Sequence, residues 1–322
     1  MNFDPVSAAS VPRAAATGHP VPRRPFRAAA TAVAAAAMLL AACSGGSSTP
    51  GPGPTPPPPP PPVTTATLLA AGDIGECGYG ALDTGRLIDG LSGTLLALGD
   101  LAYMHGSAAN FRDCYDPAWG RHMDRTRPVP GNHDYETPGA AGYFDYFGGL
   151  AGNRGQGYYS YSAGPWRVIA LNSEISMAAG SPQVQWLRDE LQANRTQCTL
   201  AYWHRPLYSS GPNGNNLDTR VLWSTLIEFG AEIVLNGHDH MYERFERQDD
   251  QARPDPVNGL RQFTVGTGGA HLTNPGPPKP NSAARSAASY GVLQLTLNPT
   301  SYSWEFIPAN NAFRDSGAGT CR

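Results

Sequence analysis

The sequence has 322 residues, with 23 Lys and Arg against 26 Asp and Glu for a formal net charge of -3, and it holds 37 Gly and 31 Pro. Charged residues make up 15%, below the roughly 25% usual in soluble domains, so a weakly charged segment dilutes a globular part. The near-neutral balance, with Lys279 the single lysine, argues against a protein that grips nucleic-acid backbones, which needs a dense basic surface.

The dilution lies at the front. Residues 1–42 hold four Arg and one Asp, and the 15 residues 28–42 are Ala, Val, Met and Leu with one Thr. That run is short for a membrane span of about 20 residues but suits the apolar region of an export signal. PRRPF just before it, with Arg23, Arg24 and Phe26, resembles a twin-arginine signal, although Pro22 and Arg27 depart from the usual flanks. LAAC just after it, Leu40 to Cys43, resembles the lipobox of bacterial lipoproteins, in which Cys43 becomes the lipidated first residue of the mature chain. From Cys43 to Pro62 there is no charge, and ten of the thirteen residues from Pro50 onward are Pro, a polyproline II stalk. The expected organisation is an export signal over 1–42, a Pro/Gly/Ser-rich linker over 43–62 and one folded domain over 63–322, exported and lipid-anchored at the periplasmic or extracellular face of the cell envelope. Loss of residues 1–42 takes the net charge from -3 to -6.

Four cysteines remain in the domain: Cys77, Cys114, Cys198 and Cys321. Their spacing fits no zinc finger, and an exported protein keeps disulfides. Three pairings are open; the expected one joins Cys77 to Cys114 and Cys198 to Cys321, the second tying the C-terminus to the core.

Short apolar runs end in polar turns throughout the domain. Residues 67–71 run into GDIG, 94–98 into GDLAY, 127–130 into GNHD, 166–171 into NSE, 198–203 into HRP and 232–235 into NGHDH. Such runs with helical patterns between them predict an α/β arrangement. The clearest helix spans Pro182 to Asn194, with Ser181 as N-cap and Val184, Trp186, Leu187 and Leu191 as its apolar face. A second covers Leu217 to Phe229. RQFTVGTGG, YGVLQLTLN and SYSWEFIP read as consecutive strands with turns between them. The expected result is a layered sheet structure with helices outside.

Ligands of α/β sheets bind at the carboxyl ends of strands. Asp73, Asp100, Asn132, His133, His204, His238 and His240 all lie just past the end of an apolar run, so they can meet. Oxygen and imidazole ligands in that number suit Zn, Fe or Mn and exceed one tetrahedral site. They suggest two metals sharing a carboxylate, an arrangement that activates hydroxide and clamps a phosphoryl group. A lone Asp after a strand is usually a turn former and a lone His usually structural; seven such residues at strand ends, in a domain with only seven His, are a different proposition.

The ordered motifs GDIG (72–75), GDLAY (99–103), GNHD (131–134), WHRP (203–206) and GHDH (237–240) resemble those of the calcineurin-like metallophosphoesterases. Tyr103, three residues after Asp100, points to the purple acid phosphatase branch, whose tyrosine binds ferric iron. The resemblance implies a four-layer α/β/β/α sandwich with a dimetal site at the strand C-terminal ends. It assigns Asp73, Asp100, Tyr103 and His240 to one metal, and Asp100 as bridge, Asn132, His204 and His238 to the other, the expected occupants being Fe(III) with Fe(II), Zn(II) or Mn(II). It implies hydrolysis of phosphate monoesters by in-line attack of a metal-bound hydroxide, with His133 stabilising the phosphoryl group or protonating the leaving oxygen, and Asp134 available to orient His133.

Two departures bear on substrate recognition. The segment 209–216, SSGPNGNN, lacks the histidines that plant-type members carry there, and Pro62 nearly abuts the first motif strand, leaving no room for their N-terminal β-domain. His105, His122 and His271 match no motif and read as surface or packing residues, and GTGG at 266–269 reads as a tight turn. The expected partners are a phosphorylated small molecule and, through the lipid anchor, a membrane, with no nucleic acid beyond nucleotide substrates. The rival readings are a phosphodiesterase or nucleotidase using the same site, and a non-catalytic surface lipoprotein.

Overall fold

The structure is a computed structural model that describes residues 64–322. The export signal, the lipobox with Cys43 and the linker over 43–62 lie outside the described residues.

In chain order the strands are β1 (Ala66–Ala71), β2 (Thr94–Leu98), β3 (Thr126–Val129), β4 (Tyr159–Ala163), β5 (Trp166–Ala170), β6 (Thr199–Tyr202), β7 (Ile233–Asn236), β8 (Tyr242–Phe245), β9 (Arg261–Val265), β10 (Ser282–Ser286), β11 (Gly291–Leu297), β12 (Ser301–Pro308) and β13 (Ser316–Thr320). The longer helices are α1 (Ala81–Asp89), α2 (Ala141–Phe147), α3 (Pro182–Ala193) and α4 (Arg220–Glu228). One sheet has six strands in the order β13-β12-β11-β1-β2-β3; the other has seven in the order β10-β8-β9-β7-β6-β5-β4.

Each sheet contains a parallel run. β1, β2 and β3 pair in parallel with Leu69 beside Leu95 and Leu95 beside Thr126. β5, β6, β7 and β9 do the same, with Ala201 between Ile169 and Val234. The inner strands β1, β2, β6 and β7 are largely apolar, as strands covered on both faces must be. Along the second sheet successive side chains alternate between two cores. Val168, Ala170, Leu200, Tyr202, Ile233 and Leu235 join the cluster shared with the first sheet. Ile169, Leu171, Ala201, Trp203 and Val234 instead meet Val184 and Leu187 of α3 and Leu222, Trp223 and Leu226 of α4. The α3 helix starts where Ser181 Oγ accepts the Val184 N–H at 3.3 Å, with Pro182 in the first turn.

The C-terminal reading needs correction. RQFTV, YGVLQLTLN and SYSWEFIP are strands, but they are not consecutive: β10 intervenes between β9 and β11, and β9 lies in the seven-stranded sheet. β11 and β12 are consecutive and pair antiparallel. The GTGG segment is a connector rather than a hairpin turn, because its backbone bonds the β1 loop: Gly268 N–H donates to Gly72 O at 2.9 Å and Ala270 N–H to Asp73 O at 2.7 Å.

Cys77 is bonded to Cys114 and Cys198 to Cys321. The second bridge joins the segment before β6 to the residue after β13. No helix among the described residues is long and apolar enough to cross a membrane.

Candidate metal centre

The parallel ladder of β1 and β2 continues beyond the strands. Asp73 N–H donates to Gly99 O at 2.9 Å, Ile74 N–H to Asp100 O at 3.0 Å and Tyr103 N–H to Gly75 O at 2.9 Å. This stitching holds the GDIG and GDLAY loops together and turns Asp73, Asp100 and Tyr103 toward one point. Asp73, Asp100 and His238 have left-handed backbone, with φ of 57°, 51° and 76°. Such conformations cost non-glycine residues roughly 1–2 kcal/mol each and cluster at functional sites. Glycines beside them permit close approach: a Cβ on Gly131 would lie 2.2 Å from Asp100 Oδ1, and one on Gly237 2.6 Å from Asp73 Oδ2.

Two groups of side chains result. In the first, Tyr103 Oη lies 3.0 Å from Asp73 Oδ1, 3.3 Å from Asp100 Oδ2 and 3.0 Å from His240 Nε2. In the second, His204 Nε2 lies 3.1 Å from Asp100 Oδ2 and 3.2 Å from His238 Nδ1. Asp100 belongs to both. Asn132 lines the same cleft as Asp100, His238 and His240, and its Oδ1 is buried with no hydrogen-bond partner among the described residues. A buried amide oxygen without a donor costs about 1–3 kcal/mol, so it calls for a partner such as a cation.

The outer atoms of these residues are already committed. His204 Nδ1 and His240 Nδ1 donate to the carbonyls of Leu98 and His271 at 2.9 and 2.8 Å, which leaves each Nε2 directed inward as a ligand atom. His133 N–H donates to Asp100 Oδ1 and His238 N–H to Asp73 Oδ2, both at 2.8 Å. One oxygen of each carboxylate is thus anchored and the other faces the cluster.

The electrostatics fit a cation. Burial by itself would raise the Asp100 carboxyl, but the charge and hydrogen bond of His204 outweigh it and hold it well below the ordinary carboxylate range. Burial opposes the charge on His204, yet Asp100 overrides it and lifts the imidazole to about 10. On His240 burial is likewise outweighed, here by the hydrogen bond and charge of Asp73, and the ring rises to about 9. Burial and the positive His204 push His238 down to about 3. Burial and the charges of Asp100 and Asp73 drive the Tyr103 phenol well above its usual value. Without metal, protons on His204 and His240 supply the positive charge that two buried carboxylates need; a metal would displace them and stabilise the phenolate.

His133 lines the same cleft of about 200 Å³, together with Pro212, Asn213 and His271. Its ring packs 4.7 Å from that of Tyr103, and its Nδ1 donates to Met104 O at 2.7 Å with Glu136 at 3.0 Å. Asp134 does not orient it. That carboxylate is fully buried, accepting from Gly131 N–H at 2.9 Å and Leu101 N–H at 3.2 Å, so it ties the GNHD turn to the GDLAY loop. Burial and the charge of Asp100 raise it to about 7 against those two donors. The 209–216 loop does reach the site: Asn213 Nδ2 donates to His238 O at 2.8 Å.

Of the histidines without a motif, His122 pairs with Asp89 at 2.9 Å and His105 with Glu136, and neither lines the cleft. His271 does, contrary to the sequence reading. Its ring meets that of His240 edge-on at 4.8 Å. No local pattern announces it, because its position depends on the backbone bonds between the 266–270 segment and the β1 loop.

Residues 66–242 match the family profile of calcineurin-like phosphoesterases, and residues 261–316 that of the iron/zinc purple acid phosphatase-like protein C. The chain is 26% identical over 299 residues to purple acid phosphatase 15 of Arabidopsis thaliana, covering 78% of this chain and 56% of that protein. It is 27% identical over 283 residues to Fe(3+)-Zn(2+) purple acid phosphatase 12 of the same plant, covering 75% and 60%. The chain therefore spans a little over half the length of these relatives. Among solved structures, purple acid phosphatase PPD1 from yellow lupin seeds shares the fold with a TM-score of 0.64 at 19% identity, over 81% of this chain and 55% of that one. A dimetal phosphatase from Danio rerio does so with a TM-score of 0.53 at 15% identity, over 78% and 98%. With the fold, the five ordered motifs and a family profile spanning most of the chain in agreement, the chain belongs to the calcineurin-like phosphoesterases and carries a purple acid phosphatase-like C-terminal segment.

Proposed function

We propose that the domain over 63–322 is a dinuclear metallophosphatase that hydrolyses phosphate monoesters. Asp73, Asp100, Tyr103 and His240 would hold one ion, and Asn132, His204 and His238, with Asp100 shared, the other. The observation that carries this reading is the pair of buried ligand groups joined through Asp100, with Asn132 Oδ1 left without a donor. Iron with a divalent partner, Fe, Zn or Mn, suits the set: a hard phenolate in one group and neutral imidazole and amide ligands in the other. When bound, such a pair supplies Lewis acidity toward phosphoryl oxygens and an activated water.

The chain's own residues do the remaining work. The backbone donors at His133 and His238 fix the two carboxylates, and the Leu98 and His271 carbonyls fix two imidazole rings. His133, with Nδ1 engaged, keeps Nε2 for the phosphoryl group or the leaving oxygen. Asn213, bonded to the His238 carbonyl, forms one wall of the cleft.

We further propose that the chain is exported and lipid-anchored through Cys43, with residues 43–62 as stalk. Two disulfides suit an oxidising compartment. Mass spectrometry of the envelope fraction would show a diacylglyceryl adduct at Cys43, lost in Cys43→Ala.

The activity is tested by metal analysis and a visible spectrum, followed by hydrolysis of 4-nitrophenyl phosphate and of bis(4-nitrophenyl) phosphate. Two ions per chain, a tyrosinate-to-iron band lost in Tyr103→Phe, and preference for the monoester are expected. Preference for the diester would make this a phosphodiesterase. Unchanged turnover in Asp100→Ala would end the two-metal account.

A further inference from the structure

We infer that His271, held by Glu76, is a second imidazole contact for the phosphate group, working beside His240 as His133 works beside Tyr103. This rests on the phosphatase reading above. His271 lines the same cleft as Asp100, Asn132, His133, His238 and His240. Its Nδ1 lies 2.8 Å from Glu76 Oε2, and the same oxygen accepts the His271 backbone N–H at 3.0 Å. That engagement leaves Nε2 as the free ring nitrogen. It is a hydrogen-bond partner for a phosphate in either protonation state: a donor to P–O when the ring is charged, an acceptor for P–OH when it is neutral.

The side chain is 49% exposed, while Glu76 behind it is 16% exposed, so packing does not account for the pair. Nor does support of His240. The group that orients His240 is the His271 backbone carbonyl, which any side chain at that position would supply.

Both residues stand on fixed backbone. Gly268 and Ala270 bond the Gly72 and Asp73 carbonyls, and Gly80 N–H donates to Gly269 O at 2.8 Å. Glu76 adjoins the Cys77–Cys114 bridge. A polar side chain held this firmly, at the rim of a cleft that Pro212 and Asn213 also line, is built for positioning a ligand.

The test uses the full metal-loaded chain and compares wild type with His271→Ala, His271→Gln and Glu76→Gln. For each, bound metal, kcat and KM for 4-nitrophenyl phosphate, and the calorimetric Kd of inorganic phosphate are measured. His271→Ala should raise both KM and the phosphate Kd about tenfold, the loss expected for one hydrogen bond to a charged group, with metal content unchanged. His271→Gln, which keeps an N–H near the Nε2 position, should recover part of the loss, and Glu76→Gln should weaken both constants in the same direction by about threefold. Phosphate Kd and KM within twofold of wild type in His271→Ala would overturn the inference, and so would loss of metal in that variant. A wild-type chain that binds phosphate but hydrolyses no ester would refute the phosphatase reading alone, since the Kd comparison still decides the role of His271. A wild-type chain that does neither refutes both.

Discussion

Two clusters of buried charge in this protein differ in how far the chain satisfies them. Asp315 accepts from Tyr242 Oη at 2.7 Å, Arg244 Nε at 2.8 Å, Arg244 Nη2 at 3.2 Å and Trp304 Nε1 at 3.1 Å. Burial would raise its carboxyl, but those donors and the guanidinium charge outweigh it and hold the group below its ordinary range. Asp73 and Asp100, by contrast, crowd the same phenol, lean on protonated histidines and sit in a cleft with an amide oxygen that has no partner. The first network is closed and braces β8 against β12; the second is open and presents ligand atoms. Buried polarity by itself therefore says little about function, whereas converging ligand atoms that include an acceptor without a donor, Asn132 Oδ1, say a good deal.

Asp100→Ala removes the shared ligand and should give the largest effect. The several kcal/mol that metals contribute to such transition states correspond to a fall in kcat/KM of about 10³-fold or more. The metal-free variant should lose about 3–5 kcal/mol of stability against metal-free wild type, since it removes one partner of the buried Asp100–His204 pair and leaves the other uncompensated. A loss under about 1 kcal/mol in the metal-free chain would show that the pair contributes nothing to the fold.

Gly131→Ala tests whether geometry matters as much as ligand identity. Its Cβ would sit 2.2 Å from Asp100 Oδ1 and 2.4 Å from Asp100 N, so the carboxylate must shift. A displacement near 1 Å can cost about 10²-fold in turnover; kinetics with metal content measured in parallel would check it.

Outside the site the expected effects reverse. Cys198→Ser opens a bridge between residues 123 apart in sequence and should cost about 2–4 kcal/mol of stability in chemical denaturation, with kcat unaltered in the folded fraction. Asp315→Asn should cost about 1.5–3 kcal/mol, again with kcat preserved. Because the Asp315 carboxyl is depressed in the folded state, its stabilising contribution is complete above the unfolded value of about 3.9. It is lost as pH falls through the lower folded value. The stability gap between Asp315→Asn and wild type should thus narrow below about pH 4, and a gap that stays constant into that range would contradict the assignment.

Much of the side-chain cluster was legible in the sequence because each candidate ligand lies in a loop just past a run that becomes a parallel strand. β2, for example, spans the same five residues as the run TLLAL, and α3 ends one residue before the expected Asn194. The elements that escaped are polar or small. β4 reads YSYSA and β13 SGAGT, both partly exposed sheet-edge strands whose pairing depends on neighbours rather than on their own hydrophobicity. In α1 the Gly85 that obscures the helical pattern is needed where a Cβ would stand 2.5 Å from Ala118 O. β9 and β11 read as consecutive strands because the intervening β10, SAARS, carries no apolar run. His271 escaped for another reason: only the bonds from the 266–270 segment to the β1 loop bring it to the cleft.

The central claim is that two groups of ligands share Asp100, and the number of ions bound per chain tests it most directly. Metal analysis after equilibration with iron and zinc should find two ions in wild type, one in His238→Ala and none held tightly in Asp100→Ala. A single ion in wild type, or two ions retained by Asp100→Ala, would contradict it.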